Sequence, residues 1–221
     1  RFIICLPDGD KYGITYRWLD DGSDAVLMNA RSTINYTVRQ KSGTPVTREW
    51  TVPSRADCLA CHNAAAGQAL GLKTHQLNHL FTYPSTGLVK NQMATLGYLG
   101  LISPLPDLPG LSARLRAHAL SDSTAPLEHR VRSYIDSNCS HCHQPGGGAP
   151  GFDGRLYRPL VEQLLINEGI KGHFSFVPGG HLVTPGAVDT SAIHFRAASR
   201  LDGVEMPPIA REVIDAEAVG A

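Results

Sequence analysis

The run Arg132-Ser133-Tyr134-Ile135-Asp136-Ser137-Asn138-Cys139-Ser140-His141-Cys142-His143 carries a helical pattern straight into two cysteines and a histidine. Leu127–Asn138 reads as a strong helix with Val131, Tyr134 and Ile135 on one side. A glycine-rich loop, Pro145–Gly151, follows. The same ending occurs earlier, in Ser54-Arg55-Ala56-Asp57-Cys58-Leu59-Ala60-Cys61-His62, where Ser54 is a plausible N-cap. Four of the five cysteines fall in these two Cys-x-x-Cys-His copies, and only Cys5 is left over.

This spacing is that of covalent haem attachment. Two thiols on one turn reach the two vinyl groups, and the next His supplies a nitrogen to iron. A thioredoxin-like redox pair belongs in a βαβ context, which is absent here. A Cys₄ zinc site has no need of a His after each pair. Two haems c are therefore expected, with Cys58, Cys61 and His62 holding the first and Cys139, Cys142 and His143 the second.

The sixth ligand decides what such haems do, because a His/Met pair suits electron transfer and an open position suits catalysis. The sequence has only three methionines. Met206, in a Met-Pro-Pro loop between two helical stretches, is the favoured ligand of the second haem. For the first haem Met93 competes with His79 and His75. Arg55, Arg196 and Arg200 are candidates to pair with haem propionates, since guanidinium binds carboxylates bidentately. His118, His129, His173, His181 and His194 receive no role, and Cys5 reads as a small buried hydrophobe.

Outward from the motifs, residues 1–52 read as short strands rich in Ile, Val, Thr, Tyr and Trp, parted by Pro7-Asp8-Gly9-Asp10, Asp20–Asp24 and Lys41–Pro45. After Ser54 the pattern turns to helix and loop. Helix is expected over Ser85–Leu99, Leu111–Leu120, Ser191–Ser199 and from Asp215, with Pro104, Pro106 and Pro109 forcing a break. With 20 basic and 20 acidic residues there is no field for nucleic acid or a membrane surface, and no apolar run spans a bilayer. The chain begins at Arg1 and reads as a segment of a longer protein.

Several segments together carry a resemblance: Tyr16–Asp21, Val52–His62, Leu70–Asn78, Asn91-Gln92-Met93, Arg132–Gly147 and Met206-Pro207-Pro208. They are similar to a family of di-haem c-type cytochromes of environmental Gram-negative bacteria, often encoded near PQQ-dependent sugar dehydrogenases. The order of elements around Met206 also resembles a class I cytochrome c. The resemblance implies export to the periplasm or cell exterior, redox protein partners such as a periplasmic dehydrogenase, and a potential for homo-oligomers. The expected fold is α+β: a β-rich module (1–53), a helical first haem segment (54–124) and a cytochrome c-like second haem domain (125–221), mainly α and loop-rich. The expected function is single-electron transfer; the alternatives are a di-haem peroxidase-like enzyme with one open haem and a subunit of a conductive cytochrome assembly.

Overall fold

A computed structural model of the chain describes residues 1–103, 108–111, 114–149, 151–170 and 180–221. Pro104, Pro106 and His173 lie outside the described residues. Three strands, β1 (Phe2–Cys5), β2 (Lys11–Trp18) and β3 (Ala25–Met28), form an antiparallel meander. A separate hairpin pairs β4 (Ser32–Arg39) with β5 (Pro45–Val52), Ser32 facing Val52 and Arg39 facing Pro45. Ile34, Val46 and Trp50 share the more buried face while Thr33, Asn35 and Glu49 stay exposed, the period-2 pattern of a strand with one face covered.

Helix α1 (Arg55–Cys61) packs on β2. Its start is a full capping box: the Ser54 hydroxyl accepts from the Asp57 N–H, and the Asp57 carboxylate accepts from the Ser54 N–H at 2.8 Å. There follow α2 (Thr74–Leu77), a hairpin of β6 (Leu80–Thr82) and β7 (Val89–Asn91), α3 (Gln92–Tyr98), α4 (Leu108–Leu111), α5 (Leu127–Asn138), α6 (Ala192–Ala198) and α7 (Ala216–Gly220). Asn91 caps α3 through the Met93 N–H, and Asp215 caps α7 through the Ala218 N–H.

The expected fold class is corrected here. The region after Ser54 is not mainly α, and it shows no cytochrome c-like haem-domain architecture. Its longest helix, α5, has 12 residues, and the next in length, α1, α3 and α6, have 7 each. Strand pairing recurs inside the stretch expected to be helical, where Val89–Asn91 pairs with Leu80–Thr82. The described residues of 114–120 are irregular. Two physical causes operate. Glycine and proline make up 37 residues of the chain, and both shorten helices. The Thr86-Gly87 turn, with Gly87 at φ 70° and its N–H donating to the Tyr83 carbonyl at 2.8 Å, folds the apolar Leu88-Val89 back as a strand before any helix begins.

Polar groups do much of the work of a core. The described fully buried apolar residues are small or few: Val52, Leu111, Ala117, Ala125, Ile135, Leu156, Leu165 and Ala192. Beside them Asp136 and Gln163 are completely enclosed. The Asp136 carboxylate accepts from Lys73 Nζ (2.9 Å), His75 Nε2 (2.7 Å) and the Leu156 N–H (3.0 Å). Gln163 accepts from Arg132 Nε at 2.9 Å and donates to the Arg155 carbonyl at 2.9 Å. Buried polar groups must be paired in this way to be tolerated.

Much apolar surface is left outside. Trp18 (68% exposed), Leu72 (75%), Tyr98 (87%) and Val161 (84%) project to solvent. The accessible surface is 13898 Å². A compact monomer of this mass exposes about 9,900 Å². The chain therefore exposes roughly 40% more surface than its own core can account for.

Candidate site where the two motifs meet

Each motif is presented by a helix end. Cys58 and Cys61 lie on α1, and the His62 N–H closes that helix by donating to the Cys58 carbonyl at 2.9 Å. Cys139 caps α5, donating its N–H to the Ile135 carbonyl. The His143 N–H then donates to the Cys139 carbonyl at 2.8 Å, turning the motif back on itself.

Tertiary structure brings the two motifs together. The Sγ atoms of Cys61 and Cys142 lie 3.3 Å apart. His141 joins them, so that one ligand atom from each of Cys61, His141 and Cys142 falls within 4.8 Å of the others. The approach depends on the glycine loop. A Cβ on Gly148 would stand 2.7 Å from the Ala60 carbonyl oxygen, so only glycine lets that backbone lie against the first motif. Gly13 of β2 does the same for the outer cysteine, since a Cβ there would meet Cys58 Cβ at 2.5 Å and Sγ at 2.6 Å. A cleft of about 260 Å³ opens beside the pair, lined among others by Lys73, His75, His141, Gln144, Arg155 and Tyr157.

The two histidines that end the motifs differ in their second contacts. His62 Nδ1 lies 2.6 Å from the Gln68 carbonyl oxygen. A carbonyl only accepts, so Nδ1 carries the hydrogen and Nε2 keeps a lone pair, the usual arrangement of a metal-ligating imidazole. Gln68 reaches this position with φ 70°, directly after Gly67 at φ 71°. Two consecutive left-handed residues turn the loop back toward His62. His143 instead stacks on Phe152, with centroids 4.2 Å apart and planes 12° from parallel. Its Nδ1 is buried without a hydrogen-bond partner. Burial, then the Arg196 and His141 charges, pull its pKa down to about 4, so the ring is neutral and free to donate a lone pair at neutral pH.

Three of the four motif thiols are shifted toward the protonated form by their surroundings. Burial pushes Cys139 up to about 12 and also raises Cys58. Cys61 is raised chiefly by its hydrogen bond with Cys142, which by the same contact is lowered. The donor set of two thiols and one imidazole per motif fits a covalently held haem, with His62, whose Nδ1 is tied to the Gln68 carbonyl, as the most direct match. The 260 Å³ cleft is smaller than the roughly 300–1,000 Å³ usual for cofactor sites.

The remaining candidates are dispersed. Met206 is half-buried, and its N–H donates to the Arg196 carbonyl at 3.1 Å. Arg196 also places charge near His143, which links the Met206 loop to the second motif. Met93 stands in the first turn of α3. His79 packs edge-on against His118, with centroids 6.2 Å apart, and burial lowers its pKa. Among the described residues no hydrogen bond or ring contact joins His62 to Met93 or His79. His75 is committed to Asp136. Arg55 lies over the Tyr12 ring at 5.3 Å, while Arg200 pairs with Glu205 (2.6 Å) and Glu212 (2.9 Å). Cys5 is exposed, not buried.

Sequence reasoning passed over Gln68, Phe152, Gly13 and Gly148. No local pattern marks Gln68, Phe152 or Gly13; the role of Gly13 arises from its contact with Cys58, 45 residues on, and that of Phe152 from stacking on His143. No protein-family model, curated protein or solved structure matches the chain.

Proposed function

We propose that this chain is an electron-transfer protein that holds two covalently attached haems c side by side. The observation that carries the reading is the convergence of two Cys-x-x-Cys-His motifs with Cys61 and Cys142 Sγ 3.3 Å apart. When bound, haem supplies reversible one-electron chemistry. Cys58 and Cys61 anchor the first group and Cys139 and Cys142 the second, through thioethers. His62 and His143 are the proximal donors, each held by a neighbour: the Gln68 carbonyl for His62 and the Phe152 ring for His143. Met206 is the favoured sixth ligand at the second motif, and Met93 or His79 at the first.

Two further observations support the reading. The thin apolar core and large exposed surface suit a chain that packs around large apolar groups. The neighbouring thiols set the two attachment points close enough for a short relay. Covalent haem c places the protein in the periplasm or outside the cell, with redox proteins as partners.

The test is expression of the full chain in a bacterium that matures c-type cytochromes. The expected product has the mass of two haems added, resists acid–acetone extraction of haem and gives a low-spin absorption spectrum. Loss of Met206 in Met206→Ala is expected to turn one of the two haems high-spin. A chain carrying no covalent haem would sink the proposal. A high-spin signal in the unmodified chain would move it to peroxide chemistry.

A further inference from the structure

Before haem is attached, the meeting point of the motifs is a set of two thiols and an imidazole, from the end of α1 and the turn after α5. Cys61 and Cys142 Sγ lie 3.3 Å apart, and His141 completes a group whose ligand atoms all fall within 4.8 Å of one another. All three side chains are half-buried, accessible to an ion yet sheltered. In a tetrahedral zinc site with Zn–S of about 2.3 Å, neighbouring ligand atoms stand about 3.8 Å apart. The Cys61–Cys142 pair stands about 0.5 Å inside that spacing and all three donors lie within 4.8 Å of one another, so shifts of about 1 Å or less would complete the ligand set. The cleft that His141 and Gln144 line adjoins the group and opens it to solvent on that side. The glycine contact at Ala60 holds the loops in register.

We infer that Cys61, His141 and Cys142 form a binding site for a thiophilic divalent cation of the zinc type in the haem-free chain. The site is built across the motifs and not within either one. Binding releases two thiol protons, and the resulting thiolates and the neutral imidazole coordinate the ion. An ion held there withholds one thiol of each motif from thioether formation, so it gates haem attachment at both. This gating rests on the haem reading; the ion site does not.

The full chain, made without haem attachment and kept reduced, is titrated with Co²⁺ and then Zn²⁺. One Co²⁺ per chain is expected, with sulfur-to-cobalt charge transfer and tetrahedral d–d bands that Zn²⁺ abolishes. The Cys58→Ala/Cys139→Ala double variant retains the site with affinity within about threefold, because each motif keeps its inner thiol. Cys142→Ser abolishes the charge-transfer band, and His141→Ala weakens binding at least tenfold. Loss of the site in the double variant, or its survival in Cys142→Ser, overturns the inference. For the gating, the full chain is matured in haem-attaching cells with zinc added or chelated, and haem per chain is read as pyridine haemochrome. At least a twofold fall with zinc is expected, and an unchanged value overturns the gating. A cobalt site in a chain that never takes up haem leaves the ion inference standing and removes the haem reading. Two haems with no cobalt site does the reverse.

Discussion

Asp136 shows what one residue can hold together. Enclosed to 1% exposure, it fastens Lys73 and His75 of the first motif's trailing segment to α5, which carries the second motif. Burial alone would raise its pKa, but hydrogen bonds from His75, the Leu156 N–H and Lys73 outweigh it and hold the carboxyl below its usual range. Removing one partner of a buried ionic cluster costs about 3 kcal/mol or more. Asp136→Asn is therefore expected to lower the unfolding free energy of the full chain by that amount, read in urea as a lower midpoint with an unchanged slope. The pH sign follows from the lowered pKa. Its stabilisation is present above the unfolded carboxyl value and is lost as pH falls through the folded one. Thermal unfolding of the unmodified chain should decline below about pH 4, and the decline should be shallower in Asp136→Asn.

Among the elements, α1 and the 145–149 loop do the positioning. The Ser54/Asp57 capping box starts α1 so that Cys58 and Cys61 emerge against β2 and the glycine loop. Ser54→Ala removes the acceptor for the Asp57 N–H and is expected to cost about 1 kcal/mol in denaturant unfolding. Gly148→Ala tests the approach of the motifs themselves. Its Cβ would press on the Ala60 carbonyl, a backbone atom that cannot rotate away. We expect a loss of about 1–3 kcal/mol as the loops separate. Cross-linking of Cys61 to Cys142 by a short thiol-alkylating dihalide in the haem-free chain should fall with it, as read by mass spectrometry of a digest. Cross-linking equal to that of the unmodified chain would show that the glycine contact does not set the distance.

Across the whole molecule, the two haems of the proposed function would be electrostatic neighbours, because their attachment points Cys61 and Cys142 are close. Charges roughly 10 Å apart at an effective dielectric of about 20 interact by about 1–2 kcal/mol. Reduction of the haem-loaded chain is expected to proceed in two resolved one-electron steps, measured by spectroelectrochemical titration. A single step with independent, equal centres would place the haems far apart. At this scale the reading of the chain also meets its corrections. The motifs, the Ser54 and Asp215 caps, and the α5 span Leu127–Asn138 were legible because spacing, capping and helical periodicity are local properties. The hairpin of β6 and β7 was not, because Val89, Met93 and Leu96 fit a helical face as well as a strand followed by a helix. The Gly87 turn decided between them. Arg200 fits a propionate by chemistry, yet Glu205 and Glu212 occupy it.

By itself the sequence determined the chemistry available: which residues bear thiols, imidazoles and thioethers, and in what local spacing. Those follow from covalent order and from one or two turns of chain. Only the tertiary structure decided that Cys61 meets Cys142, that Gln68 orients His62 while Phe152 covers His143, and that the helices stay short around a polar hub. The Cys61–Cys142 meeting and the Asp136 hub join residues 61 to 81 positions apart, and the His62 and His143 contacts close loops of six and nine residues; all depend on packing and loop closure that periodicity does not encode.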